Sequence, residues 1–201
     1  MKLIEILKKF NLDVNFSNSG YDSGGTDKNS CHSYIENFYE EEFKKYKNRE
    51  VNLLEIGVET GGSLKLWKEY FVNSKSIIGV DISEDKIDYR YRNIPGVNFY
   101  ICNAYDEQNL KNFGDFDIII DDGPHTLESQ LKCIELYLPK LKKDGLFIIE
   151  DVQNIEHFNL LIDKLKKVTE TFDNNIQYVF ECIDLRDKKQ RWDDLIFLIR
   201  T

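Results

Sequence analysis

The amino-acid sequence predicts an α/β fold with one mostly parallel sheet between two layers of helices. Short buried apolar runs alternate with segments of helical apolar spacing over residues 51–170. Strands separated by helices become parallel through right-handed crossovers, which place helices on both faces. Two further apolar runs, 176–182 and 194–199, are joined by a short charged loop that favours an antiparallel pair. We therefore expect a doubly wound, Rossmann-like, seven-stranded sheet, mostly parallel, with a C-terminal antiparallel hairpin.

The individual elements follow from the same patterns. Besides the hairpin strands, the strands expected from apolar runs are 51–56, 76–81, 97–102, 116–121 and 145–150. The helices expected from apolar spacing are 2–10, 32–46, 62–71, 84–91, 106–112, 126–138 and 155–168. The polar, glycine-containing stretch 15–30 is expected to be a loop. A chain of 201 residues can bury one core, so we expect one globular unit.

Composition excludes several classes of function. The net charge of −9 argues against a nucleic-acid partner, which requires a basic face. We expect no membrane span, because no apolar run approaches the ~18 residues needed, and the charged N-terminus does not fit a signal peptide. The cysteines are scattered without a CxxC pair, which predicts reduced thiols in a cytoplasmic protein and no metal role for them. They are Cys31, Cys102, Cys133 and Cys182.

The chain is organised around a glycine turn between the first strand and its helix. Gly57, Gly61 and Gly62 interrupt the apolar run, and helical spacing resumes at Ser63. Such a turn lets the backbone approach a ligand, and the helix start behind it favours an anionic group, although a plain tight turn also fits. About twenty residues on, the second strand ends in Asp81, where nucleotide-binding folds place an acid on ribose hydroxyls. The third glycine of the dinucleotide fingerprint is missing, which disfavours a nicotinamide-dependent oxidoreductase.

This stretch resembles the cofactor loop of class I S-adenosylmethionine-dependent methyltransferases. More narrowly, the chain resembles the Mg-dependent sugar O-methyltransferases of macrolide biosynthesis, their rhamnosyl O-methyltransferase relatives and the cephalosporin hydroxylase-like proteins. The resemblance covers residues 25–199 and implies an N-terminal helical or lid segment, 1–48, followed by an S-adenosylmethionine-dependent methyltransferase domain, 49–201. A mobile lid and a flexible connector both fit the composition of the N-terminal segment.

The resemblance implies which residues bind S-adenosylmethionine. In the family, an acid and an amide after the third strand meet the adenine, and here Asn103 and Ala104 stand in their places, so one hydrogen bond remains and the other is lost. The acid Asp121 faces either the cofactor or the edge of the core. The expected cofactor-binding residues are Thr26, Lys28, Glu55, Gly57, Gly61, Ser63, Asp81, Asn103, Ala104 and Asp121.

Acidic residues follow two strands expected to be neighbours. Asp122 comes after the fourth strand, and Glu150 and Asp151 come after the fifth. Three carboxylates at one edge would repel one another, and a hard divalent cation resolves this, preferably Mg²⁺, with Ca²⁺ or Mn²⁺ as alternatives. Helix capping is the competing interpretation. The family's Asp-x-x-His and Glu-Asp pairs are present as Asp122 to His125 and Glu150-Asp151, so the resemblance implies a metal site formed by Asp122, Glu150 and Asp151.

His125 is the candidate general base. Methyl transfer to an alcohol requires a group that takes the proton, and imidazole titrates near ~6.5. A histidine at the start of the next helix could instead cap it, but the matching histidine in the family is the base, so Asp122 and His125 are expected to be catalytic. His32 fits a helix start, a core position or a substrate contact, and His157 is expected at the surface.

The predicted function is transfer of a methyl group from S-adenosylmethionine to a hydroxyl of a sugar or glycosylated small molecule, assisted by Mg²⁺ and a histidine base. The first alternative is an O-methyltransferase acting on a non-sugar metabolite, such as a phosphate, a phosphoramidate or a diol. The second is a non-catalytic S-adenosylmethionine-binding protein. The expected partner is a small-molecule acceptor, and a homo-oligomer is compatible with so short a chain, since a neighbouring subunit could contribute to substrate recognition.

Overall fold

Seven strands form one mixed sheet in the computed structural model, which describes residues 1–14, 16–17, 20–21, 24–172 and 176–201. In chain order the strands are β1 (Asn52–Ile56), β2 (Ser76–Asp81), β3 (Val97–Ile101), β4 (Phe116–Asp121), β5 (Leu141–Ile149), β6 (Val179–Asp184) and β7 (Leu195–Arg200). Their order across the sheet is β3-β2-β1-β4-β5-β7-β6.

The strand directions confirm the predicted fold class. β1 to β5 are parallel, and β7 runs antiparallel to both β5 and β6. From β1 the chain first builds outward through β2 and β3, then returns to place β4 on the other side of β1. Ligands of open α/β sheets bind beyond the carboxyl ends of the strands at such a reversal. The fold therefore directs attention to the ends of β1 and β4.

Helices cover both faces of this sheet. They are α1 (Leu3–Phe10), α2 (Glu40–Glu42), α3 (Gly62–Tyr70), α4 (Leu127–Tyr137), α5 (His157–Thr169) and α6 (Arg186–Lys189). A π-helical turn, Ile35–Tyr39, leads into α2, and 3-10 helices occupy Glu107–Asn112 and Leu138–Lys140. A separate two-stranded pair joins Phe16–Ser17 to Gly20–Tyr21. No helix among these described residues is long and apolar enough to cross a bilayer.

The helix predicted over 84–91 is wrong, because turns replace it. The Asp88 N–H donates to the Thr60 carbonyl at 3.0 Å. Arg90 Nη2 and the Tyr91 hydroxyl both donate to the Gly24 carbonyl, at 2.8 and 2.7 Å. These contacts bind the segment to the glycine turn and to the chain before it, and they outweigh a local helical preference.

Smaller differences concern the edges of elements. The helix predicted over 32–46 is a π-helical turn followed by the short α2, and the one over 106–112 is 3-10. The first hairpin strand begins at Val179, and the charged loop of the hairpin contains α6. The loop predicted over 15–30 contains the two-stranded pair, while its residues 15, 18, 19, 22 and 23 lie outside the described residues.

The core forms two layers because strand side chains alternate between the faces of the sheet. Leu53 and Ile118 point to the layer under α1 and α3, whereas Leu54 and Ile119 point to the layer under α4 and α5. Aromatic side chains preceding β1 join the first layer, including Tyr34, Tyr39 and Phe43. The N-terminal part of the chain is thus packed against the sheet, and it carries polar groups toward the sheet's carboxyl edge.

Candidate active site

A cleft of about 800 Å³ lies at the carboxyl ends of the strands. The glycine turn, the ends of β2, β3 and β4, and residues 25–27 form its walls. The predicted site residues that line it are Thr26, Gly57, Ser63, Asp81, Asn103, Ala104, Asp122 and His125. The predicted residues found behind these walls are Lys28, Glu55, Gly61, Asp121, Glu150 and Asp151.

Gly57 allows the ends of β1 and β4 to approach each other. Its φ is +78°, and a Cβ at this position would lie 2.0 Å from the Asp122 carbonyl oxygen. A little further on, a Cβ on Gly62 would lie 2.2 Å from the backbone of Gly25. Glycine is required at both positions, since any side chain would meet backbone atoms. The turn therefore brings the N-terminus of α3, the end of β4 and residues 24–26 together.

Asp81 fixes the shape of this turn from β2. Its Oδ2 accepts hydrogen bonds from the Val58 and Glu59 N–H groups, both at 3.0 Å, and its Oδ1 accepts one from Ser83 N–H at 3.2 Å. These backbone donors hold the carboxylate in one orientation at the cleft wall. Because each carboxylate oxygen has two lone pairs, Asp81 can still accept a hydrogen bond from a hydroxyl of a ligand.

The wall after β3 presents an amide in place of an acid. Asn103 Oδ1 accepts a hydrogen bond from the Tyr105 N–H at 3.0 Å, and Nδ2 has no partner among the described residues. The carbonyl of Ala104 accepts a hydrogen bond from the Tyr137 hydroxyl at 2.7 Å. Asn103 therefore offers a donor to the cleft, whereas the family's acid at this position offers an acceptor.

Asp121 lies at the edge of the core and not in the cleft. It is 2% exposed, and its Oδ1 accepts a hydrogen bond from the Tyr105 hydroxyl at 2.6 Å. Burial raises the pKa of Asp121 to about 6, against the effect of the Tyr105 hydrogen bond. Its other oxygen has no hydrogen-bond partner within the described part of the chain.

Glu55 also lies beneath the cleft. It is fully buried, and its Oε2 accepts hydrogen bonds from the Ser63 hydroxyl at 2.8 Å and the Trp67 ring N–H at 3.0 Å. Burial raises the pKa of Glu55 to about 7, although the nearby Lys28 opposes this. Glu55 therefore ties the start of α3 to β1 and does not line the cleft, and its role in cofactor binding stays a prediction.

Lys28 occupies the space between the carboxylates that follow β4 and β5. Its Nζ lies 2.6 Å from Asp122 Oδ2 and also donates to Glu150 Oε2. The other oxygen of Glu150 accepts a hydrogen bond from the Tyr39 hydroxyl. Burial alone would lower the pKa of Lys28, but the surrounding carboxylates raise it well above its usual value. Lys28 is therefore an ammonium inside an acidic cluster and does not contact the cleft.

His125 lies between Asp122, which lines the cleft, and Asp151, which lies behind the cleft wall. Its Nε2 lies 3.1 Å from Asp122 Oδ1 and 3.7 Å from Asp151 Oδ2. Burial opposes protonation of the ring, but the hydrogen bond and charge of Asp122 raise the pKa of His125 to about 9. Burial also raises the pKa of Asp151 to about 6. Lys28 and His125 together hold the pKa of Asp122 below its usual range, against the effect of its own burial.

Behind Asp151 lies a second histidine that the sequence left unassigned. His32 is 4% exposed, and its Nδ1 lies 2.7 Å from Asp194 Oδ1 and 3.4 Å from Asp151 Oδ1. Asp151 Oδ1 also accepts a hydrogen bond from the Tyr34 hydroxyl. Sequence reasoning missed Tyr34, Tyr39 and Asp194 as polar partners of this site. The signal for Asp194 was a carboxylate at the very start of an apolar strand.

The donor atoms suited to a cation form a different set from the predicted one. Asp122, His125 and Asp151 each place one ligand atom within 4.8 Å of the others, and so do His32, Asp193 and Asp194. Glu150 belongs to neither group within the described residues, and its two oxygens accept hydrogen bonds from Lys28 and Tyr39. Of the predicted ligands Asp122, Glu150 and Asp151, only Asp122 lines the cleft, and the other two lie behind its wall.

Comparisons with known proteins support the family. A family model described as "Methyltransferase domain" matches residues 47–196. The 8-demethyl-8-alpha-L-rhamnosyl tetracenomycin-C 2'-O-methyltransferase of Streptomyces olivaceus is 34% identical over 140 residues, which cover 64% of this chain and 35% of the relative. Demethylmacrocin O-methyltransferase of Streptomyces fradiae is 35% identical over 125 residues, which cover 57% of this chain and 30% of the relative. The chain thus matches about a third of the length of these curated relatives.

The fold has a solved counterpart. The methyltransferase MycE from the mycinamycin biosynthetic pathway, solved in complex with Mg and S-adenosylhomocysteine, superposes with a TM-score of 0.71 at 21% identity. The match covers 100% of this chain and 54% of that chain. At this identity it shows the shared fold, and it confirms the predicted sheet. With the family model spanning most of its length, the chain belongs to the methyltransferase-domain family.

Proposed function

We propose that this chain transfers a methyl group from S-adenosylmethionine to a hydroxyl of a sugar or a glycosylated small molecule. The observation that carries the proposal is the Asp122–His125 pair at the mouth of a cleft whose other wall is the glycine turn. Both named relatives are O-methyltransferases, and the name of the first specifies a rhamnosyl compound, which supports the acceptor class. The net charge of −9 supports a small-molecule acceptor over a nucleic acid.

The residues at the cleft fit both groups that the family implies. Gly57 has no side chain to block the approach of a ligand to the turn. Asp81 can accept hydrogen bonds from the ribose hydroxyls, and the Asn103 side-chain amide can donate one to the adenine ring. Three carboxylates, those of Glu55, Asp122 and Glu150, surround the single ammonium of Lys28. A further positive charge is therefore favoured beside them, on His125 or on a metal ion. When bound, S-adenosylmethionine supplies an electrophilic methyl group on a sulfonium, and Mg²⁺ supplies a Lewis acid for the acceptor oxygen. Asp122, Asp151 and, as the resemblance implies, Glu150 would hold the metal ion.

His125 would take the acceptor's proton. Its Nε2 is oriented by Asp122, and its Nδ1 has no partner among the described residues. In many enzymes a catalytic histidine is oriented by a carboxylate bound to one ring nitrogen, while the other ring nitrogen takes the proton. His125 and Asp122 have this arrangement. Asp122 fixes the orientation of the ring. In the metal-free protein the charge of Asp122 also raises the pKa of His125 to about 9. A metal ion held by Asp122 and Asp151 would lower that pKa, and Nδ1 would then receive the proton. Positioning of the hydroxyl against the methyl group contributes the remainder of the acceleration.

We also propose that residues 1–48 form a fixed cover over a catalytic domain of residues 49–201. Three contacts favour a fixed cover and argue against a mobile lid. Thr60 Oγ1 donates to the Gly25 carbonyl at 2.7 Å, Lys28 is buried among carboxylates, and His32 is bonded to Asp194. These contacts connect the segment to β1, β4, β5 and β7.

The first test is calorimetric titration of the EDTA-treated protein with S-adenosylhomocysteine, repeated with Mg²⁺. Micromolar binding, followed by methyl transfer to a glycosylated acceptor, is the expected result. Replacement His125→Ala should lower kcat by roughly 10²- to 10⁴-fold with cofactor affinity nearly unchanged, since a general base contributes that much. His157→Ala is the matched control, because His157 lies on α5 and does not line the cleft.

Three outcomes would separate this proposal from its alternatives. Absence of cofactor binding under both conditions would refute it. Cofactor binding without turnover on any acceptor would indicate a binding protein. Turnover on diols or phosphorylated metabolites but not on glycosylated ones would show that the enzyme is an O-methyltransferase with a non-sugar acceptor.

A further inference from the structure

Two buried tyrosines of the N-terminal segment donate hydrogen bonds to the two acids that follow β5. The Tyr34 hydroxyl donates to Asp151 Oδ1, and the Tyr39 hydroxyl donates to Glu150 Oε1. Tyr34 and Tyr39 are 1% and 0% exposed. A tyrosine hydroxyl is protonated at neutral pH, so both groups are donors. Each acid is therefore held through one of its oxygens.

The π-helical turn Ile35–Tyr39 brings the two hydroxyls to the same edge of the sheet. Tyr34 directly precedes this turn, and Tyr39 ends it. Positions five residues apart lie about 140° from each other around an α-helix, because each residue turns by about 100°. In this turn the Glu40 N–H donates to the Ile35 carbonyl, five residues back, so each residue rotates less about the axis. One turn of the chain can therefore direct both tyrosines at two consecutive acids.

Packing fixes the rings of both tyrosines. Tyr39 contacts Phe43 and Trp67, with ring centroids 4.7 and 5.0 Å away. Tyr34 stacks on His32 at a centroid distance of 4.8 Å. Side chains packed in this way have already lost their rotamer freedom on folding. Their hydroxyls can therefore hold the acids without a further entropy cost when a ligand binds.

The second oxygen of each acid faces a group that also contacts Asp122. Asp151 Oδ2 lies 3.7 Å from His125 Nε2, which is 3.1 Å from Asp122 Oδ1. Glu150 Oε2 accepts a hydrogen bond from Lys28 Nζ, which is 2.6 Å from Asp122 Oδ2. The tyrosines thus hold the outer oxygens of the two acids, while the other oxygens converge on the third acid of the predicted metal site.

We propose that Tyr34 and Tyr39 are positioning residues that orient Asp151 and Glu150 for a divalent metal ion. Loss of a group that orients a metal ligand typically weakens metal binding by roughly 10- to 100-fold. The inference rests on the proposed function in one respect, namely that a divalent ion binds at this edge. If the hydroxyls only satisfied buried carboxylates, their removal would lower stability and leave metal affinity unchanged.

The experiment is titration with Mn²⁺ alone, without cofactor or acceptor, followed by calorimetry and by the electron paramagnetic resonance signal of free Mn²⁺. Tyr34→Phe and Tyr39→Phe keep the packed rings and remove only the hydroxyls. Each should raise the Mn²⁺ dissociation constant about tenfold or more, because one acid then loses its fixed orientation.

Tyr46→Phe is the matched control. Tyr46 lies in the same segment, is 1% exposed, and its hydroxyl donates to the Asp144 carbonyl at 2.7 Å; neither residue lines the cleft. This variant loses a hydrogen bond of the same kind, but its Mn²⁺ dissociation constant should change less than about threefold, since no metal ligand loses a partner. Circular dichroism and urea unfolding in EDTA establish that each variant is folded. If one site variant does not fold, the other decides, because the two hydroxyls bind different acids.

The inference is overturned if either folded site variant binds Mn²⁺ as tightly as the unaltered protein, or if Tyr46→Phe weakens binding as much as they do. In both cases the unaltered protein still binds Mn²⁺, and the proposed function stands. Absence of Mn²⁺ binding to the unaltered protein is a different result, because it refutes the metal part of the proposed function and this inference with it.

Discussion

His125 and Asp151 of the candidate site have backbone conformations that residues other than glycine seldom adopt. His125 has a φ of 58° and Asp151 a φ of 52°. Such conformations cost on the order of 1 kcal/mol each and persist where surrounding contacts impose them. Here the two residues follow different strands and turn toward each other, with His125 Nε2 3.7 Å from Asp151 Oδ2. The strain therefore lies where the side chains of the proposed catalytic cluster converge.

The raised pKa of His125 makes a prediction for the metal-free protein. The pKa of His125 is about 9 in the folded protein and near ~6.5 in the unfolded chain. Its contribution to stability is therefore complete at a pH below ~6.5 and is lost as the pH rises through 9. We expect the free energy of unfolding to fall by about 2 kcal/mol over this range, less than the full linkage value because the ring is partly exposed. Urea unfolding in EDTA at pH 6.5 and 9 measures it.

The control for this prediction is His125→Gln under the same conditions. The pKa of His32 is also raised, by its hydrogen bond to Asp194 and by nearby carboxylates, against its own burial, so the difference between the two proteins isolates His125. Equal pH dependence in both would show that His125 does not carry the charge assigned to it.

Sequence spacing predicted local contacts of the site better than distant ones. Asp122 and His125 are three residues apart, and the expected approach between them is present at 3.1 Å. The partners of Lys28 are 94 and 122 residues away in the chain. No local pattern encodes contacts of that separation, so the sequence did not predict the pairing of Lys28 with Asp122 and Glu150. Burial of a charged side chain is likewise invisible in composition.

At the scale of elements, the glycine turn determines how β1, β4 and α3 meet. Replacement Gly57→Ala would place a methyl group 2.0 Å from the Asp122 carbonyl oxygen in a backbone with φ of +78°. We expect a loss of at least about 2 kcal/mol in unfolding free energy and of detectable S-adenosylhomocysteine binding. Chemical denaturation and calorimetry measure the two effects.

Gly114→Ala is the matched control for this variant. A Cβ on Gly114 meets nothing within 4 Å, so the change should be neutral or stabilise by a few tenths of a kcal/mol through the unfolded chain. If Gly57→Ala were as well tolerated as Gly114→Ala, the close approach at the turn would not be what shapes the cleft.

Strand prediction succeeded because buried parallel strands are continuous apolar runs. The structure confirms all five parallel strands and the antiparallel pair, with ends shifted by a few residues. Helix prediction failed at 84–91, where the spacing of apolar residues suggested a helix and three hydrogen bonds to Thr60 and Gly24 impose turns. Contacts made by one element with another decide such cases, and periodicity describes one element only.

At the scale of the whole molecule, the cleft joins elements that are distant in sequence. Residues 25–27 and the ends of β1, β2, β3 and β4 all contribute to its walls. The fold class follows from the order of strands and helices, and hence the position of the cleft could be predicted. The pairing of Lys28 with the carboxylates after β4 and β5 could not be predicted, because it depends on how the N-terminal segment packs.

A ligand held by so many elements should stabilise the molecule as one unit. S-adenosylhomocysteine at about 100 times its dissociation constant should raise the unfolding free energy by about 2.7 kcal/mol. This corresponds to an increase in Tm of roughly 5–10 °C for a chain of this size. Differential scanning calorimetry measures the shift, and Gly57→Ala should show none. An unchanged Tm for the unaltered protein would contradict cofactor binding in the cleft.

The hydrogen bond between His32 and Asp194 has a consequence for biosynthesis. Its two residues are 162 positions apart, and Asp194 directly precedes β7, the strand between β5 and β6. During translation, the ribosome releases His32, Lys28 and the carboxylates after β4 and β5 well before Asp194. Until β7 has emerged, the edge of β5 remains unpaired and His32 lacks its anchor. We expect the nascent chain to acquire its finished catalytic edge only when this strand is inserted.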